Sequence, residues 1–155
     1  MSNNMDLHYE MFCYQCEQTA NGKGCTKLGV CGKTPEIANL QDLLLYQLKG
    51  ISCYAKSTID ADSHADKNIV RFLENALFTT LTNVNFDADT HVALLKESQE
   101  IKESLRSQTS SEPHTAAALY NLPESKTEML HDAPIAGIMY DKALDPDIRS
   151  LRQTI

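Results

Sequence analysis

Four of the chain's five cysteines crowd into MFCYQCEQTANGKGCTKLGVCGK, spaced as Cys13-x2-Cys16-x8-Cys25-x5-Cys31. No other stretch limits so strongly what the chain can fold into. Four of the six glycines, Gly22, Gly24, Gly29 and Gly32, lie inside or just after it and let the backbone turn back on itself. Cys13 and Cys16 can aim both sulfurs at one centre, and the bent loop can bring Cys25 and Cys31 to it. Four thiolates around one point select zinc or an iron-sulfur cluster. Tetrathiolate zinc sites commonly use two short cysteine knuckles. The longer gap between Cys25 and Cys31 favours iron and sulfide, because a cubane is wider than a single ion and takes ligands from a longer irregular loop. Zinc and disulfides stay open as alternatives. Lys23, Lys27 and Lys33 share the loop, either offsetting the charge of a thiolate-bound cluster or standing as solvated surface lysines.

A chain of 155 residues fits one domain. At that size folding buries roughly 68–70 % of the unfolded surface, so no disulfide staple is needed. The formal net charge of −7 argues against an electrostatic nucleic-acid binder. The first residues, MSNNMDLHYE, lack the cationic start and apolar run of a signal peptide. No stretch approaches the roughly 18 apolar residues of a membrane span. A cytoplasmic protein is expected, in a compartment that keeps the thiols reduced.

Past the loop the pattern is helical, and the expected class is all-α. Residues 1–10 read as a flexible extension and 11–34 as the cysteine-rich loop. Residues 35–110 read as a three-helix antiparallel bundle, 111–145 as an irregular segment with short helices, and 146–155 as the start of an interrupted second helical repeat. Thr34-Pro35-Glu36 is a helix start, with a cap, a proline at the first position and an acid beside the positive end of the dipole. Ile37, Leu40, Leu44, Leu48, Ile51 and Ala55 form its apolar stripe, widened by Leu43, Leu45 and Tyr54. A second stripe runs from Ile69 through Phe72, Leu73, Ala76 and Leu77 to Leu81. A third follows a cap at Asp87 or Asp89 and carries Val92, Leu94, Leu95, Ile101 and Leu105. Short helices are expected over 116–121 and 124–131. PDIRSLRQTI, Pro146 to Ile155, matches PEIANLQDLL, Pro35 to Leu44, at its proline, isoleucine and leucine, so a second capped helix is predicted to begin there. Cys53 reads as a small packed hydrophobe. His64 and His91 lack a partner at ligand spacing, so surface roles are expected of them; His8 reads as solvated in the extension, and His114 and His131 are weak metal candidates.

The segment from Met11 to Ala55, MFCYQCEQTANGKGCTKLGVCGKTPEIANLQDLLLYQLKGISCYA, resembles the amino-terminus of the hybrid-cluster proteins, also called prismane proteins or hydroxylamine reductases. The likeness continues in LTNVNFDADTHVALLKE and in DPDIRSLRQTI. The cysteine spacing is similar to that of family members with a 4Fe-4S cubane, and the resemblance makes Cys13, Cys16, Cys25 and Cys31 its ligands. It implies reduction of hydroxylamine to ammonia at a second, hybrid iron-sulfur-oxygen cluster. The His, Glu and Cys ligands of that cluster come from later domains, and after Cys31 only Cys53 remains here. The chain therefore reads as an amino-terminal fragment of such a reductase, with a second three-helix bundle beginning at its end. Its expected partners are a redox protein or the missing domains, with self-association through a bundle face left uncovered. A stand-alone iron-sulfur electron carrier and a zinc-stabilised interaction module are the other readings.

Overall fold

The computed structural model describes residues 10–16, 20–58, 66–109, 113–137, 143–148 and 151. The expected extension, apart from Glu10, lies outside them, as do His8 and His64. The architecture is all-α. Among the described residues the helices follow in the order α1 Pro35–Thr58, α2 Lys67–Thr80, α3 Ala88–Gln108, α4 Ala116–Leu119 and α5 Lys126–Asp132, before a helical start at 146–148. Tight 3-10 turns occupy Ala20–Gly22 and Ala133–Ala136.

Each helix starts where a side chain can satisfy an otherwise unpaired N–H. Thr34 Oγ1 accepts from the Ile37 N–H at 3.3 Å. Asp66 Oδ1 accepts from Asn68 at 2.7 Å, and Asp87 Oδ2 from Thr90 at 2.8 Å. Ser125 and Glu128 exchange bonds in a capping box at the head of α5.

The helix directions follow from cross-helix contacts. Gln41, early in α1, donates to the Thr79 carbonyl at the end of α2 (3.4 Å) and lies 3.3 Å from His91 at the start of α3. Gln47, further along α1, donates to Gln99 Oε1 of α3 at 3.0 Å. So α2 runs against α1 while α3 runs with it, as in an up-down-up bundle. Leu40, Leu43, Leu44, Ile51 and Tyr54 of α1 are fully buried, against Leu95 of α3, Phe72 and Ala76 of α2, and Met129 of α5. Full burial stabilises by about 1.5–3 kcal/mol for each large apolar side chain.

The width of the α1 stripe explains what the periodicity alone did not convey. With Leu43 and Tyr54 also buried, α1 is apolar over too wide an arc for two neighbours to cover. It packs most extensively on α3, then on α4 and the Ala133–Ala136 turn, and over a shorter stretch on α2. Residues 113–137 therefore form a packed cover over α1. The approach is closest at Gly50, where a Cβ would stand 2.4 Å from the Ala117 carbonyl oxygen. A mid-helix glycine costs about 1 kcal/mol in propensity, and here that cost admits a neighbouring backbone.

The surface role expected of His91 is overturned. It has no exposed area, its Nδ1 lies 2.7 Å from the Asp87 carbonyl, and its Nε2 faces Gln41. A carbonyl accepts only, so Nδ1 carries the proton and Gln41 donates to Nε2. Nδ1 is used within the head of α3, and Nε2 joins that head to α1 through Gln41. His114 and His131 are exposed. Cys53 is part-buried against the core and accepts from Thr115 Oγ1 at 3.3 Å. At the end of the chain residues 146–148 and 151 are helical, and Asp145 Oδ1 accepts the Asp147 N–H at 2.8 Å. The other residues of PDIRSLRQTI lie outside the described residues.

Candidate metal centre

The cysteine loop is fastened to the first turns of α1. Met11, Cys25 and Ala38 form a small buried cluster, with Cys13 and Ala20 packed against it. The Asn39 side chain donates to the Glu10 carbonyl and to the Pro35 carbonyl, each at 2.8 Å, tying the incoming strand to the helix. The start that Thr34 and Pro35 impose on α1 therefore fixes one wall of the loop.

Within the loop Cys13 and Cys25 pair as an isolated antiparallel bridge. The Cys13 N–H donates to the Cys25 carbonyl at 3.0 Å, and the Cys25 N–H donates back at 2.7 Å. Directly opposed residues on such a ladder project to the same face, with Cβ atoms about 5 Å apart. Cys13 and Cys25 are both free thiols, as are Cys16 and Cys31. Gly24, beside Cys25, has φ +108°, and a Cβ there would come within 2.7 Å of the Phe12 ring. Only glycine fits both the backbone conformation and the space.

The turn that carries Cys31 closes through two bonds. Gly32 N–H donates to the Gly29 carbonyl and Gly29 N–H to the Lys33 carbonyl, both at 2.8 Å. A Cβ at Gly29 would lie 3.2 Å from Cys31 Sγ and 3.0 Å from Lys33 Cβ, so the missing side chain leaves the sulfur its room. Cys25 is buried, while Cys13, Cys16 and Cys31 are half-buried. Among the described residues no three His, Cys, Asp or Glu side chains converge as the ligands of a single ion.

The three loop lysines divide. Lys23 and Lys27 are exposed, as the surface reading expected, but Lys33 is only 2 % exposed. Its Nζ donates to Gln15 Oε1 at 2.9 Å and lies 3.8 Å from Cys13 Sγ. Nothing in the periodicity marked Lys33. The signal available was its place two residues past Cys31 and just before a helix start. Its charge also reaches Asp42, one helical stretch further on. Burial pushes that carboxyl up to about 7, while Lys33 and Lys49 draw it down.

The donor set suits a soft, sulfur-ligated group. Four free thiols lie in one loop: Cys13 and Cys25 are opposed on one face, Cys31 has space kept by a glycine, and an ammonium stands beside Cys13. Cys25 lies on the buried side of the loop, and Cys13, Cys16 and Cys31 on its half-exposed side.

Comparison with known proteins agrees in kind. The sequence profile of the Prismane/CO dehydrogenase family matches residues 11–155. A hydroxylamine reductase of Syntrophobacter fumaroxidans is 41 % identical over 152 residues, covering 94 % of this chain and 28 % of that protein. One from Bacteroides fragilis is 39 % identical over 145 residues, covering 94 % and 26 %. One from Halothermothrix orenii reaches 49 % over 96 residues, 62 % of this chain and 17 % of its own length. The chain thus spans about a quarter of the length of the first two of these relatives.

Proposed function

The chain belongs to the Prismane/CO dehydrogenase family, and from that premise we propose that it is the amino-terminal part of a hydroxylamine reductase whose Cys13, Cys16, Cys25 and Cys31 hold a 4Fe-4S cluster. The observation that carries this reading is the loop itself: four free thiols on a backbone fastened to α1, with Cys13 and Cys25 bridged to one face. Bound there, the cluster supplies one-electron storage and transfer. In the complete reductase those electrons reduce hydroxylamine to ammonia, NH2OH + 2 e− + 2 H+ → NH3 + H2O, at a second centre held by later domains.

The chain's own residues have distinct tasks in this reading. Met11, Cys25 and Ala38 exclude water from one side of the centre, and low exposure strengthens each electrostatic contact to it. Leu28 and Val30, 57 % and 59 % exposed, form its outer edge beside Cys31, where an electron-exchanging surface can approach. The capped head of α1 anchors the side of the loop that carries Cys13 and Cys25.

Two measurements on anaerobically purified protein test the proposal. Cys25→Ser should lose most of the bound iron while its helical circular dichroism persists, because Cys25 is anchored apart from the main core. The cluster-loaded chain should fail to oxidise reduced viologen with hydroxylamine. Full iron in the Cys25→Ser protein, or genuine hydroxylamine turnover by this chain, would contradict the assignment.

A further inference from the structure

Lys33 stands out among the cations of the chain by where it is kept. Lysine is among the residues least often fully buried, and burying an ammonium is costly unless an anion faces it. Lys33 is 2 % exposed. Among the described residues its hydrogen-bond partners are the amide oxygen of Gln15 at 2.9 Å and Cys13 Sγ at 3.8 Å, and its charge also reaches the Asp42 carboxyl. Three features hold it there: the Gln15 amide, the Gly29 N–H on its own carbonyl at 2.8 Å, and the missing Cβ at Gly29, which would stand 3.0 Å from Lys33 Cβ. An ammonium with a fixed position beside sulfur is arranged to meet a thiolate.

We propose that Lys33 is a positioning residue that presents its ammonium to the Cys13 sulfur, and that Gln15 holds it there to raise the reduction potential of the cluster bound by the loop. The proposal rests on the iron-sulfur reading above. The physical basis is charge. One-electron reduction makes a thiolate-ligated cluster more negative, and a nearby cation stabilises the reduced form more than the oxidised one. Charge and hydrogen bonds at the sulfurs are among the main controls on such potentials. Lys23 and Lys27 are exposed, so water and salt screen them. Lys33 is shielded from both.

The test uses the full chain, purified without oxygen, as wild type, Lys33→Gln, Lys33→Arg and Gln15→Leu. Iron and acid-labile sulfide are counted first. Wild-type protein without both would overturn the iron-sulfur reading itself, which separates that failure from a failure of the role given to Lys33. The midpoint potential is then measured by titration with dithionite as the electron source. Lys33→Gln should lower the equilibrium constant for one-electron reduction at least tenfold, a shift of about 59 mV to lower potential. Lys33→Arg should stay close to wild type, and Gln15→Leu should move the same way as Lys33→Gln but less far. An iron-replete Lys33→Gln protein with the wild-type midpoint would overturn the proposal, as would Lys33→Arg shifted equally far. If Lys33→Gln does not retain iron, Gln15→Leu decides: a lowered midpoint supports the proposal and an unchanged one overturns it.

Discussion

At the scale of single residues, burial acts against charge near the loop. The Asp42 carboxyl is pushed up to about 7 by burial, against the pull of Lys33 and Lys49. Between its ordinary value of 3.8 and about 7, the folded chain holds a proton that the unfolded chain has released. The contribution of Asp42 to stability is therefore fully present below pH 3.8 and is lost as pH rises through about 7. Asp42→Asn removes this dependence. Urea unfolding at pH 5 and pH 8 should show the variant gaining on wild type at the higher pH; equal differences at both would contradict the burial argument. Lys102 illustrates the same cost in the α1–α3 seam. Only 2 % exposed, it donates to Gln47 Oε1 and the Tyr120 carbonyl, and burial draws it down to about 8.

At the scale of elements, α1 is the frame on which the other helices and the loop are assembled, and Gly50 is its narrowest point. Gly50→Ala improves helix propensity by about 1 kcal/mol. It also drives a methyl to 2.4 Å from the Ala117 carbonyl, forcing α4 away. Overpacking of this kind typically costs about 1–3 kcal/mol. The clash is with backbone, which gives less than a side-chain tip, so a net loss of stability is expected by denaturant unfolding; a more stable variant would contradict the packing. Gly50 also marks the boundary of what the sequence made legible. Thr34-Pro35, Asp87 and the apolar stripes were readable because caps and periodicity are local. The burial of His91 and Lys102 was not, since partners on other elements, such as Gln41 and Tyr120, are what make a polar side chain tolerable inside. The packing of residues 113–137 on α1 was only partly legible: short segments broken by prolines show no period, and their place follows from the width of the α1 stripe.

At the scale of the whole molecule, two apolar clusters divide the labour. The larger holds the helices together without any cysteine of the loop, and the smaller docks the loop on the head of α1. The cysteine spacing singled out Cys13, Cys16, Cys25 and Cys31 as an expectation, and the structure adds how Cys13 and Cys25 are opposed, what room Gly29 leaves beside Cys31, and where Lys33 lies. Among the described residues no helix is long and apolar enough to cross a membrane. The outer side of α2 leaves Leu77 and Phe78 47 % and 60 % exposed. The first two relatives are roughly four times as long as this chain.

The central claim is that the loop holds a cubane, and it is tested most directly by iron, acid-labile sulfide and zinc per chain, with absorption spectra before and after dithionite, on protein purified without oxygen. The expected result is about four irons and four sulfides with a spectrum that bleaches on reduction, since four cysteine ligands are the complement of a 4Fe-4S cluster. Zinc alone, or no metal at all, would contradict it.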